Sequence, residues 1–144
     1  MIIISHRGNV DGSDPSKENT IKQIDKVISM GIPVEIDVRV VDDKWFLGHD
    51  YGQYQIDNSY LLQNKEMLWC HAKNISALEN MLELGLHCFW HQEDDYTLTS
   101  KGIIWAYPNK YAGKGILVKP SKEFIDKNNK SIYGICTDNL KQYL

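Results

Sequence analysis

The chain has 144 residues, of which 42% are apolar and 24% charged, with a formal net charge of -3. That suits one globular domain over residues 1–144 and excludes a disordered or fibrous chain. The lysines are scattered, so there is no electrostatic footprint for nucleic acid or a membrane surface, and neither partner is expected.

The opening Met1-Ile2-Ile3-Ile4-Ser5 is too short an apolar run for a signal core or a membrane span, so a cytoplasmic location is expected. Ile2 to Ser5 reads as a strand ending at His6-Arg7-Gly8. After a polar loop, Ile21, Ile24, Val27 and Ile28 recur at helical spacing within 18–30, and Gly31 supplies the stop. Pro33 to Val41 alternates like a strand; Asp42-Asp43-Lys44 reads as a turn and Trp45 to Gly48 as a return strand ending at His49-Asp50.

Tyr51 to Lys65 reads as a polar connection with little periodicity. Met67 to Ala72 is a further strand, followed by a helix with Leu78, Met81, Leu82 and Leu84 on one face. Strands are expected at 86–91, 102–107, 115–119 and 131–137, a short helix at 121–128, and at most one turn over 139–144. The cysteines Cys70, Cys88 and Cys136 lie in apolar stretches without C-x-x-C spacing and are expected to be buried free thiols.

Strand–helix alternation with short loops points to βαβ units around a parallel sheet. Seven runs suit parallel strands, or eight if 96–99 contributes. A parallel (β/α) TIM-type barrel usually needs about 250 residues. The expected fold is therefore α/β, a compact, compressed or incomplete barrel with several outer helices missing. The flank left bare is expected to be covered in a homodimer.

Side chains two apart on a strand share a face. Glu35, Asp37 and Arg39 thus oppose Val34, Ile36, Val38 and Val40. As a half-exposed strand this would be unremarkable, but strands in βαβ units are usually buried on both faces, where charges need partners or a metal. His6, His71, Lys73 and His91 likewise end strands at the side where parallel barrels collect their active sites.

His6-Arg7-Gly8, then Glu18-Asn19-Thr20, Glu35-Ile36-Asp37-Val38 and His49-Asp50 occur in an order that resembles the glycerophosphodiester phosphodiesterases, relatives of the phosphatidylinositol-specific phospholipases C. The resemblance is dense over residues 2–50 and returns at His71-Ala72-Lys73 and over residues 134–139. It implies His6 and His49 as general base and acid, and a divalent cation, Mg²⁺ or Ca²⁺, at Glu35 and Asp37. It also implies Arg7 and Lys73 on the phosphodiester oxygens, with Glu18, Asn19 and Asp50 as positioning residues. The expected partner is a small phosphodiester of glycerophosphodiester type.

Two departures stand out. Pro15 is separated from Glu18 by two residues, where the family has proline directly before its Glu-Asn-Thr. The family's third metal carboxylate corresponds to His71, a change that shifts preference towards Mn²⁺ or removes the site. Glu93 is a candidate replacement. Trp90, Trp105 and Tyr107 are candidates for a substrate-binding wall, although aromatic residues in strands more often serve packing. Two alternatives remain beside the hydrolase: a weakened barrel that binds a phosphorylated ligand or protein partner, and a metal-independent lyase stopping at a cyclic phosphate.

Overall fold

The computed structural model describes residues 1–128 and 130–144. Ten strands are described: β1 (Ile2–His6), β2 (Val34–Val41), β3 (Lys44–Leu47), β4 (Tyr54–Ile56), β5 (Leu68–Ala72), β6 (Cys88–Trp90), β7 (Tyr96–Leu98), β8 (Ile104–Ala106), β9 (Gly115–Val118) and β10 (Gly134–Thr137). The helices are α1 (Ile21–Ser29), α2 (Asn58–Gln63), α3 (Ile75–Glu83) and α4 (Lys122–Asn128). A single 3₁₀ turn, Leu140–Gln142, closes the chain.

The parallel strands lie side by side in the order β6-β5-β2-β1-β10-β9-β8. β7 adds to the end antiparallel to β8, and β3 and β4 form antiparallel additions beside the far half of β2. The result is an α/β structure in which a curled, mixed sheet makes a half-barrel with few helices. Across the gap, Ser100 N donates to Cys88 O, and Thr97 Oγ1 donates to Trp90 O.

The run at 96–99 does contribute a strand, but an antiparallel one. Its link to β8 is a tight turn in which Thr99 N donates to Ile103 O. So short a link makes a hairpin; a parallel neighbour needs a crossover of about a dozen residues. The stretch 51–65, expected to be irregular, holds β4 and α2. In α2 only Leu61 is buried, and Asp57 caps the helix by accepting from Ser59 N. A helix of six residues with one anchor leaves no periodic trace in the sequence.

The aliphatic face of β2 packs outward under the helices. Val34, Ile36, Val38 and Val40 join Ile24 and Val27 of α1 and Ala77 and Met81 of α3 in one cluster. Each fully buried aliphatic side chain there contributes about 1.5–3 kcal/mol by leaving water. Of the face expected on α3, Leu78, Met81 and Leu84 pack on this cluster together with Ala77, whereas Leu82 is exposed. Leu82 lies about 100° round the helix from Met81 and so turns away from the sheet.

The concave face carries a second cluster, Ile4, Trp69, Phe89, Trp105, Ile116, Val118 and Cys136. It forms an apolar floor beneath the C-terminal ends of the parallel strands. The three cysteines are free and buried. On the outside, the register partners Leu98 and Ile104 are both exposed. Among the described residues, no helix is long and apolar enough to cross a membrane.

Candidate active site

Above the apolar floor opens a cavity of about 520 Å³, lined by His6, Arg7, Glu35, His49, His71 and Lys73 and by Trp90, His91, Trp105, Tyr107 and Lys119. A volume of this order suits a small ligand.

β1 and β2 pair in parallel, with His6 opposite Glu35, and β2 pairs with β5, with Asp37 opposite His71. That register gathers groups from three strands at two successive levels on the same face. Glu35, Asp37 and His71 each offer an atom within 4.8 Å of the others. Glu35 and Asp37 are 1% and 0% exposed, so their charges must be met inside the protein or by a cation.

For Asp37 the partners are largely in place. Asn19 donates its amide to Oδ2 at 3.0 Å and accepts from the Asp37 backbone N–H at 3.0 Å. Arg7 Nε lies 3.0 Å from Oδ2, and Lys73 Nζ lies 3.7 Å from Oδ1. Burial alone would raise the Asp37 pKa, but the charges of Arg7 and Lys73 and the Asn19 hydrogen bond hold it below the usual range. Likewise, burial works against the Arg7 guanidinium, yet Asp37, Glu35 and Glu18 raise its pKa.

Two carboxylate oxygens stay without a hydrogen bond although buried, Glu35 Oε2 and Asp37 Oδ1. Leaving such atoms bare is costly. Glu35, Asp37 and the His71 ring offer hard and borderline donor atoms within 4.8 Å of one another, a set that fits a divalent cation.

His6 stands beside this cluster. Its Nδ1 lies 2.6 Å from Asp138 Oδ1, and its Nε2 lies 3.8 Å from Glu35 Oε2. A carboxylate only accepts, so Nδ1 carries the proton and Nε2 is left as the acceptor on the cavity side. Asp138 also accepts from Asn9 Nδ2 at 2.8 Å and pairs with Lys119 Nζ at 2.8 Å. Burial would raise the Asp138 pKa, but the His6, Lys119 and Asn9 bonds hold it far below the usual carboxylate range.

Asn9 continues the network to Glu18 Oε1 at 2.9 Å, and Glu18 Oε2 receives Arg7 Nη1 at 3.3 Å. Glu18 thus contacts Arg7, and Asn19 contacts Asp37. Arg7, Asn19 and Lys119 all take left-handed backbone angles (φ 55°, 59° and 48°), which non-glycine residues adopt only where their surroundings enforce it.

His49 differs from His6 in its surroundings. Arg39 Nη2 binds the His49 carbonyl, and His49 Nδ1 pairs with Asp50 Oδ1 at 2.7 Å, but both rest at the exposed rim. Glu93 is exposed and lies outside the Glu35–Asp37–His71 group. Trp105 is 5% exposed and its ring lies between Trp69 and Phe89, so it is chiefly floor, whereas Trp90 is half-buried at the wall.

Asp138, Lys119 and Asn9 were not singled out from the sequence. Asp138 and Lys119 each follow a parallel strand directly, so the strand-end rule that selected His6 and His71 applies to them too. Asn9 carries no comparable signal.

Comparisons with protein-family models, with curated proteins and with solved structures find no match.

Proposed function

We propose that this chain is a phosphodiesterase acting on a small glycerophosphodiester-type substrate, built on a shortened relative of the TIM-type barrel. The observation that carries it is the hydrogen-bonded His6–Asp138 pair facing a buried two-carboxylate cluster with Arg7 and Lys73 lining the same cavity. The ordered resemblance to the glycerophosphodiester phosphodiesterases supports the same reading.

Bound between Glu35 and Asp37, a divalent cation would neutralise phosphoryl charge and favour attack at phosphorus. The protein's own groups account for the remaining steps. His6 Nε2 removes a proton from the attacking hydroxyl, either water or a neighbouring alcohol of the substrate, while Asp138 steadies the imidazolium that forms. Arg7 and Lys73 complement the negative charge on the phosphoryl oxygens. His49, at the rim with Asp50, gives a proton to the departing alkoxide. Attack by a substrate hydroxyl yields a cyclic phosphate, which water opens in a second passage through the same groups.

The reading includes a homodimer covering the Leu98–Ile104 flank; a monomer by light scattering at micromolar concentration would count against that part. For the chemistry, His6→Ala should abolish turnover of a generic diester such as bis(p-nitrophenyl) phosphate with the fold intact by circular dichroism. Retained turnover in that variant overturns the assignment.

A further inference from the structure

Arg39 lies on β2 at the same parity as Glu35 and Asp37, but its contacts are with the loop that follows β3. The side chain is half-buried. Its guanidinium donates to two successive backbone carbonyls, from Nε to Gly48 O at 3.3 Å and from Nη2 to His49 O. A guanidinium is a rigid fork of donors, so two acceptors on adjacent residues fix both the place and the angle of the chain they belong to. Because the donor is charged, such bonds are stronger than those between neutral groups.

The loop starts where Gly48 N donates to Asp37 O at 3.1 Å and closes where Gln53 N donates to Leu47 O at 3.0 Å. Among the described residues, the one hydrogen bond that reaches 49–52 from outside the loop comes from Arg39. His49 does not supply this hold itself. Its ring pairs with Asp50, the next residue, and the two side chains are 43% and 84% exposed. Yet a proton donor has to stand within hydrogen-bond reach of the departing oxygen, and a misplacement of about 1 Å costs about 10²-fold in rate.

We infer that Arg39 is a positioning residue, which holds the His49 backbone at the cavity mouth so that the ring meets the departing alkoxide. Its effect then falls on departure of the alcohol and leaves attack at phosphorus unchanged. With the clamp broken, diesters of acidic phenols remain good substrates and diesters of alkyl alcohols become poor ones. This deepens the phosphodiesterase reading and rests on the role of His49 in it.

Turnover of p-nitrophenyl glycerophosphate and of glycerophosphocholine, with Mg²⁺ or Mn²⁺ present, is the test. The two share the glycerol phosphate and differ in the group that leaves. p-Nitrophenolate departs without a proton, whereas the choline alkoxide needs one. Arg39→Gln, folded by circular dichroism, should lose about 10²-fold in kcat on glycerophosphocholine and less than about threefold on the nitrophenyl ester. Arg39→Lys keeps the charge without the fork. It should show a smaller loss with the same selectivity, and it carries the test if the glutamine variant misfolds. Added to His49→Ala, Arg39→Gln should cost nothing further on glycerophosphocholine, because the two act through one ring. Equal losses on the two esters, no loss on either, or additive losses in the double variant would overturn the positioning role and leave the phosphodiesterase standing. A folded wild type inert towards both esters would overturn this inference together with the proposed function.

Discussion

His6 Nδ1 and Asp138 Oδ1 lie 2.6 Å apart although 132 positions separate them in the chain. The bond joins the first strand to the residue after the last, because β1 and β10 are neighbours in the curled sheet. It fixes which nitrogen of His6 faces the cavity, and thereby which role that ring can take.

Asp138→Asn tests this. The asparagine can offer its NH₂ to Nδ1, which then becomes the acceptor, and Nε2 carries the proton in the cavity. Hydrolysis should fall about 10²- to 10⁴-fold. Substrate binding should change little, so the loss should fall in kcat rather than KM. An unchanged kcat would show that the pair is structural only.

His87 makes the fold sensitive to acid. It is buried on the concave side against Trp69, with Nε2 2.8 Å from Thr99 Oγ1. Burial, aided by the charge of Lys101, pushes its pKa down to about 4. The unfolded chain, with a histidine near 6.5, therefore binds more protons than the folded one between these values. Stability is complete above about pH 6.5 and declines as pH falls towards 4, by on the order of 1–2 kcal/mol. Urea midpoints across this range should show the decline in wild type and a shallower one in His87→Gln. Equal slopes would contradict the assignment.

Cation binding should stabilise the fold. A ligand at a hundredfold excess over its Kd adds about 2.7 kcal/mol. Thermal unfolding with Mn²⁺ should move up in wild type and return with chelator. Glu35→Gln should lose the response. An equal shift in that variant would place the ion elsewhere.

Gly48 guards the position of His49. A Cβ there would meet the Tyr51 carbonyl oxygen at 2.1 Å and Gln53 Cβ at 2.9 Å, with φ at +150°. Gly48→Ala must displace the loop that carries His49. A loss of about 1–3 kcal/mol in stability is expected, together with reduced turnover. Wild-type denaturant midpoint and rate in the variant would show that the loop accommodates the side chain.

Much of this architecture was legible because single positions answered to two constraints. In β2, valine and isoleucine alternate with Glu35 and Asp37, and one parity decides both what packs under the helices and what enters the cavity. The histidines at strand ends were legible for the same reason. β7 carries too few residues to reveal its direction, which the turn at Thr99–Ile103 decides. On α3, Ala77 is a small residue that weighs little in a hydrophobic pattern yet is buried, while Leu82 is exposed. Asp138 and Lys119 carry the same strand-end signal, but their link to each other and to His6, at the opposite end of the chain, shows only in the fold.

The most direct test is ³¹P NMR of a glycerophosphodiester panel incubated with wild type and His6→Ala, with Mg²⁺, Mn²⁺, Ca²⁺ or chelator. Metal-dependent appearance of a cyclic phosphodiester or an open phosphomonoester in wild type, absent with chelator and in His6→Ala, is the predicted result. Product formed equally by His6→Ala, or no product from folded wild type with any ion, would contradict the proposed phosphodiesterase.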